Sequence, residues 1–164
     1  MKNKVMLIGS IGAGKSTLTN ALLEKQVKAV KTQTLVYKDW IVDTPGEYTE
    51  NPMFYKSIMA TAMEVTHVFY IQDATGDKLI FPPGFSTGIS KLPVGVITKV
   101  DHPDADIETA IRRLKQVVGG GPIIKTSSFT GQGIQVLRDI ALCSTRKEIQ
   151  SYLLKHEKDP AICE

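Results

Sequence analysis

Gly9-Ser10-Ile11-Gly12-Ala13-Gly14-Lys15-Ser16 decides how the rest of this chain is read. A glycine, four residues, then Gly-Lys-Ser is the pattern of a loop that wraps phosphate groups. Successive backbone N–H groups can surround several negative charges only where side chains stay clear, hence Gly9, Gly12 and Gly14. The predicted cradle therefore runs from Gly9 through Thr17, with Ser10, Ile11 and Ala13 inside it. Lys15 supplies a point charge between the outer phosphates, and the Ser16 hydroxyl is a hard oxygen donor suited to Mg²⁺. The flanks agree: Val5–Ile8 is a continuous apolar run that reads as a buried strand, and Thr17–Leu23 reads as a helix.

Working outward, strand-length apolar runs alternate with helical patterns. Leu35–Tyr37 and Trp40–Val42 around Lys38–Asp39 predict a hairpin, and Val68–Ile71, Val94–Ile97 and Ile123–Ile124 predict further strands. Pro52–Met63 reads as a helix, as does Gly133–Leu142. Asp104 is the predicted N-cap of a helix through Ala110 and Leu114 that ends near Gly119–Gly121. Thr145 and Glu148 make a capping-box pattern for a terminal helix near 145–156, with Ile149, Tyr152 and Leu153 on one face. The expected fold class is α/β, a three-layer phosphate-loop fold with a mostly parallel central sheet and helices on both faces. One domain spanning 1–164 is expected.

The bulk properties exclude several classes. The 164 residues are 42% hydrophobic and 23% charged, ordinary for a globular chain. A net charge of +3 with scattered basic residues argues for neither a nucleic-acid nor a membrane partner. The first apolar run ends at Gly9, too short for a signal peptide or a spanning helix, which predicts a cytoplasmic protein. Cys143 and Cys163 fit no metal or redox spacing, and His67, His102 and His156 form no metal constellation.

A phosphate loop does not choose among kinases, ATPases and GTPases, and four further pieces narrow the choice. Asp43-Thr44-Pro45-Gly46 follows a predicted strand, where Asp43 can hold Mg²⁺ through a water and the Gly46 N–H can contact a γ-phosphate. In the polar stretch between, Thr32 is the choice for the hydroxyl that closes the Mg²⁺ shell, with Thr34 the competitor. Thr98-Lys99-Val100-Asp101 follows another strand. The Asp101 carboxylate can accept the adjacent N–H donors of guanine, with the Lys99 stem flanking the base. Thr126-Ser127-Ser128 follows the last strand, where a backbone N–H can reach the guanine carbonyl. Asp73, at the end of the Val68–Ile71 strand, is an extra candidate, and Phe81-Pro82-Pro83-Gly84 reads as a rigid surface turn.

In this order and spacing the pieces resemble the Ras-like GTPase superfamily over nearly the whole chain. Lys31-Thr32-Gln33, Asp43-Thr44-Pro45-Gly46-Glu47-Tyr48, Lys91, and Lys99 through Asp106 resemble the EutP/PduV family more narrowly. That resemblance implies a setting in bacterial ethanolamine or propanediol utilisation, in association with microcompartments and with shell or enzyme proteins as partners. It also implies GTP or GDP with Mg²⁺ as ligands, with ATP as the alternative. It leaves two reactions open: a slow GTPase acting as a nucleotide switch, and phosphoryl transfer from ATP to acetate, since an acetate kinase activity has been assigned within the family. For the kinase, Lys31 and Lys56 are the candidate carboxylate-binding cations.

Three departures from the superfamily pattern bear on rate and selectivity. Thr98 stands where Asn usually braces the base and the phosphate loop. Glu47 stands where Gln often orients the attacking water, in reach of γ-phosphate oxygens of like charge. No arginine precedes Arg112, so neither switch region can supply an arginine finger, and Ile11 crowds the path of a partner's finger. Slow intrinsic hydrolysis is the expectation.

Overall fold

The computed structural model describes residues 2–24, 34–77 and 80–163. A six-stranded sheet runs through it in the order β2-β3-β1-β4-β5-β6. These strands are β1 (Val5–Gly9), β2 (Val36–Lys38), β3 (Ile41–Asp43), β4 (His67–Asp73), β5 (Leu92–Thr98) and β6 (Ile123–Lys125). All neighbours pair in parallel except β2, which lies antiparallel to β3. The hairpin turn falls one residue later than the sequence suggests. Lys38 pairs with Ile41, so the turn is Asp39-Trp40, with Asp39 at φ 56°.

Parallel strands must be covered on both faces, and the apolar runs supply side chains for each. Val5 and Leu7 of β1, with Phe69 and Ile71 of β4, face α1 (Lys15–Leu22), α5 (Ile134–Leu142) and α6 (Arg146–Lys155). Met6 and Ile8, with Val68 and Tyr70, face α3 (Tyr55–Ala62) and α4 (Ile107–Val118). The result is the three-layer α/β fold. Each fully buried Leu, Ile or Phe side chain contributes roughly 1.5–3 kcal/mol, so the two cores supply most of the drive for folding.

Polar contacts fix the element ends. Asn51 accepts the Met53 N–H at 3.0 Å and starts a 3-10 turn, Pro52–Phe54, that leads into α3 in place of one unbroken helix. The cap of α4 is Asp106, not Asp104. Asp106 Oδ1 accepts the Thr109 N–H at 3.1 Å, while the Asp106 N–H reaches across to the Ala74 carbonyl at 2.8 Å. That long-range bond sets the start of the helix two residues later than local sequence suggests. Arg138 of α5 donates to the last carbonyls of α1, Ala21 at 2.7 Å and Leu22 at 2.9 Å.

Beyond α5, Thr145 accepts the Glu148 N–H at 3.2 Å and caps α6. Ile149, Tyr152 and Leu153 pack α6 onto the core, and the Tyr152 hydroxyl donates to Asp139 at 2.9 Å. The chain then returns along β6. Lys125 N–H bonds to the Ala161 carbonyl at 2.7 Å, Cys163 N–H bonds to the Ile123 carbonyl at 2.9 Å, and Ile162 pairs antiparallel with Ile124.

Candidate functional site

The nucleotide-binding motifs singled out in the described sequence follow the carboxyl ends of β1, β3, β5 and β6, where ligands sit in open parallel sheets. After β1 the chain turns through Gly12 at φ 77° and Gly14 at φ 92°, left-handed conformations that favour glycine, and enters α1 at Lys15. The loop therefore delivers the chain to the positive N-terminal end of α1, with the Ala13 N–H closing the turn on the Ser10 carbonyl at 3.2 Å.

Lys15 lies 6% exposed under this loop, its Nζ donating to the carbonyls of Gly9 at 2.9 Å and Ser10 at 2.7 Å. Burial pushes its pKa down to about 8, with the Asp43 and Glu50 carboxylates holding it up in part. The Ser16 hydroxyl donates to Asp43 Oδ2 at 2.8 Å. This places two hard oxygen donors from α1 and β3 side by side beside the phosphate loop. The donor chemistry fits Mg²⁺, which takes few protein ligands and completes its shell with phosphate oxygens and water. Thr44, next in the chain, donates to the Leu7 carbonyl at 2.7 Å and ties β3 to β1. Thr32 and Lys31 lie outside the described residues, and Thr34 is exposed.

At the far end of the loop, Gly46 packs against Ile11 so closely that a β-carbon there would lie 2.4 Å from the Ile11 nitrogen. Gly46 opens the short helix α2 (Glu47–Glu50). Glu47 and Glu50 are both exposed, and it is the Glu50 carboxylate that accepts the Ile11 N–H, at 3.3 Å. Sequence reasoning passed over Glu50. Its position one helical turn after Gly46 is the signal that could have found it.

On the other side, β5 ends in Thr98, whose hydroxyl donates to the Ala13 carbonyl at 2.6 Å. Lys99, held at φ 61°, donates to the Gly12 carbonyl at 2.8 Å and to Asp73 Oδ2 at 2.6 Å. Asp73 thus positions Lys99. Burial pushes the Asp73 carboxyl up, but hydrogen bonds from Lys99 and Thr75 outweigh this and hold it below its usual range. A cleft of about 190 Å³ opens here, bounded by Gly14 and Thr17 on one side and Lys99, Asp101 and Ser128 on the other. Phe129, 93% exposed, lines the same cleft and carries no motif. Ser127 is buried, its hydroxyl accepting the Thr130 N–H at 3.0 Å, which shapes the loop after β6. His67 lies at the opposite end of β4, and no cluster of three or more His, Cys, Asp or Glu forms among the described residues.

A phosphate loop between the first strand and helix of a 2-3-1-4-5-6 sheet defines a P-loop nucleotide-binding protein. The fold extends to a solved structure. The bacterial selenocysteine-specific elongation factor EF-Sec superposes with a TM-score of 0.59 at 22% identity, over 92% of this chain and 29% of that one. The family model for PduV-EutP, described as ethanolamine utilisation - propanediol utilisation, matches residues 1–142, and the chain belongs to that family. It is 34% identical to the probable acetate kinase EutP of Escherichia coli K12, over 88% of this chain and 92% of that protein. To the propanediol utilization protein PduV of Citrobacter freundii it is 28% identical, over 80% of this chain and 87% of that protein. No helix among the described residues is long and apolar enough to cross a membrane.

Proposed function

We propose that this chain is a Mg²⁺-dependent guanine-nucleotide-binding protein that hydrolyses GTP slowly, as a switch serving ethanolamine or propanediol utilisation. The observation that carries the reading is the cleft in which Asp101 faces the base-side end of the phosphate loop at Gly14 and Thr17. Polyphosphate lies along the Gly9–Ser16 amides with Lys15 at its outer groups. The base enters the cleft, with Asp101 accepting its N–H pair, the Lys99 stem against one face and the Ser127–Ser128 backbone at its carbonyl edge. Ser16 and Asp43 hold Mg²⁺, which neutralises phosphate charge when bound. In this reading the Gly46 N–H senses the γ-phosphate, which its close packing on Ile11 of the phosphate loop supports.

Slow turnover follows from the residues at hand. Arg113 is engaged with the Gly76 and Asp77 carbonyls and Arg138 with α1, away from the site. An arginine finger typically contributes about 10³–10⁵ in rate. Without one, GTP turnover falls well below about one per second. Partners in this reading are protein components of the utilisation machinery, including microcompartment shell or enzyme proteins.

The name of the Escherichia coli relative favours a second reading, transfer of the γ-phosphoryl group of ATP to an acetate oxygen, giving acetyl phosphate and ADP. Lys56, exposed on α3, is a candidate cation for the acetate carboxylate. One coupled assay separates the two readings: free phosphate and acetyl phosphate are followed with GTP and with ATP, each with and without acetate. The switch reading expects slow phosphate release from GTP that acetate leaves unchanged. Acetyl phosphate formed at a rate exceeding phosphate release overturns it in favour of the kinase.

A further inference from the structure

Glu50 falls outside every motif, yet its carboxylate lies within the phosphate site. The contact is built in three steps. Gly46 seats α2 directly on Ile11, and the Glu50 N–H closes the helical turn on the Gly46 carbonyl at 3.3 Å. The Glu50 side chain is thereby carried over the loop, where it accepts the Ile11 N–H at 3.3 Å. Its charge also acts on Lys15 across the loop, in the same direction as that of Asp43.

The orientation of the site gives this contact its meaning. The base cleft abuts the loop at Gly14 and Thr17, so a bound nucleotide runs from there towards Lys15 and Ile11. Ile11, Gly46 and Glu50 mark the far end, past the β-phosphate. A carboxylate there sits over an N–H that a phosphate loop ordinarily offers to its ligand, beside the lysine that serves the outer phosphates.

We propose that Glu50 determines the preference between nucleoside diphosphate and triphosphate: a γ-phosphate must displace its carboxylate from Ile11, and a diphosphate need not. The role rests on the nucleotide reading of the site. Triphosphate binding then lifts the end of α2 away from the loop, and loss of the γ-phosphate lets Glu50 return. The resting protein is a diphosphate binder by construction.

The test uses calorimetry with GDP and a non-hydrolysable GTP analogue on the wild type, Glu50→Gln and Glu50→Ala, with thermal melting to establish that each variant is folded. Removing the charge raises the ratio of triphosphate to diphosphate affinity by roughly tenfold, through the triphosphate alone, and added salt shrinks the difference. A wild type that binds nucleotide while both variants keep the ratio within twofold overturns the role of Glu50 and leaves the nucleotide reading intact. A wild type that binds neither nucleotide removes that reading and the specificity role with it. The contact has its own readout in the ligand-free protein. The Ile11 amide resonance of the wild type moves in Glu50→Ala, which has no acceptor there, and an amide resonance unchanged by that substitution overturns the contact.

Discussion

The Thr98 hydroxyl donates to the Ala13 carbonyl at 2.6 Å, joining the end of β5 to the middle of the phosphate loop. The threonine that stands where Asn is usual thus braces the loop itself, its oxygen doing by close approach what a longer amide does by reach. Thr98→Val keeps the shape and removes the donor, leaving the Ala13 carbonyl buried without it. The expected cost is about 1–3 kcal/mol, seen as a melting temperature lower by several degrees. GDP and ADP binding weaken by the same factor in calorimetry, because the bond holds the loop and not the base. Thr98→Ser restores both.

Lys15 gives the site a pH limit. Its ligand-free pKa is lowered to about 8 by burial, and a bound polyphosphate must hold it protonated. Nucleotide affinity is therefore level below about pH 8 and falls above it, approaching tenfold per pH unit. For folding the sign is opposite: above about pH 8 the unfolded lysine keeps a proton that the folded one has released, so this residue's contribution to stability rises with pH. Titrations from pH 7 to 9.5 check the binding limb. Repeating them with an adenine nucleotide separates the lysine from the ring titration of guanine.

Phe129 offers an aromatic face to whatever enters the cleft beside Asp101. Stacking of a base on such a ring contributes about 1–3 kcal/mol and is tolerant of base identity. Phe129→Ala should weaken GDP and ADP together by roughly 5- to 150-fold, without changing the melting temperature of the ligand-free protein. Asp101→Asn should leave stacking in place and move preference from guanine towards xanthine. Competition among GTP, ATP and XTP on the two variants distinguishes the contributions.

His67 is fully buried at the start of β4, with Nδ1 2.8 Å from the Thr66 hydroxyl, and burial holds its pKa below the ordinary 6.5. A histidine kept neutral by the fold stabilises nothing extra above pH 6.5. Below that value the unfolded chain gains a proton that the folded chain resists, so stability falls by up to about 1.36 kcal/mol per pH unit. Urea unfolding between pH 7 and 5 should show this loss, and His67→Gln should flatten the part of it due to this ring.

The fold was legible because its signals were local and repeated. The unbroken apolar run Val5–Ile8 reads as a buried strand, and the glycines and lysine after it read as a phosphate loop entering a helix. The missed features depend on distance between parts of the chain. Local sequence points to Asp104 as the cap of α4, yet Asp106 takes that place, held by its N–H bond to the Ala74 carbonyl more than thirty residues back. Glu47 occupies the position that pattern matching selects, yet it is Glu50 that helical geometry carries onto Ile11. Asp73 looked peripheral until Lys99 closed on it at 2.6 Å. Phe129 has no periodic neighbour to mark it, since its significance lies in the cleft wall it completes.

The return of residues 161–163 along β6 closes one border of the sheet. Among the described residues that leaves β2 as the strand with an outward row of backbone groups still to be matched. A sheet with two open borders can lengthen without limit by copying itself. One with a single open border has a valence of one: it can accept one guest strand, or one twin of itself about a twofold axis, and there the growth stops. Among the described residues, that asymmetry directs strand-mediated association to the side on which Tyr37 stands.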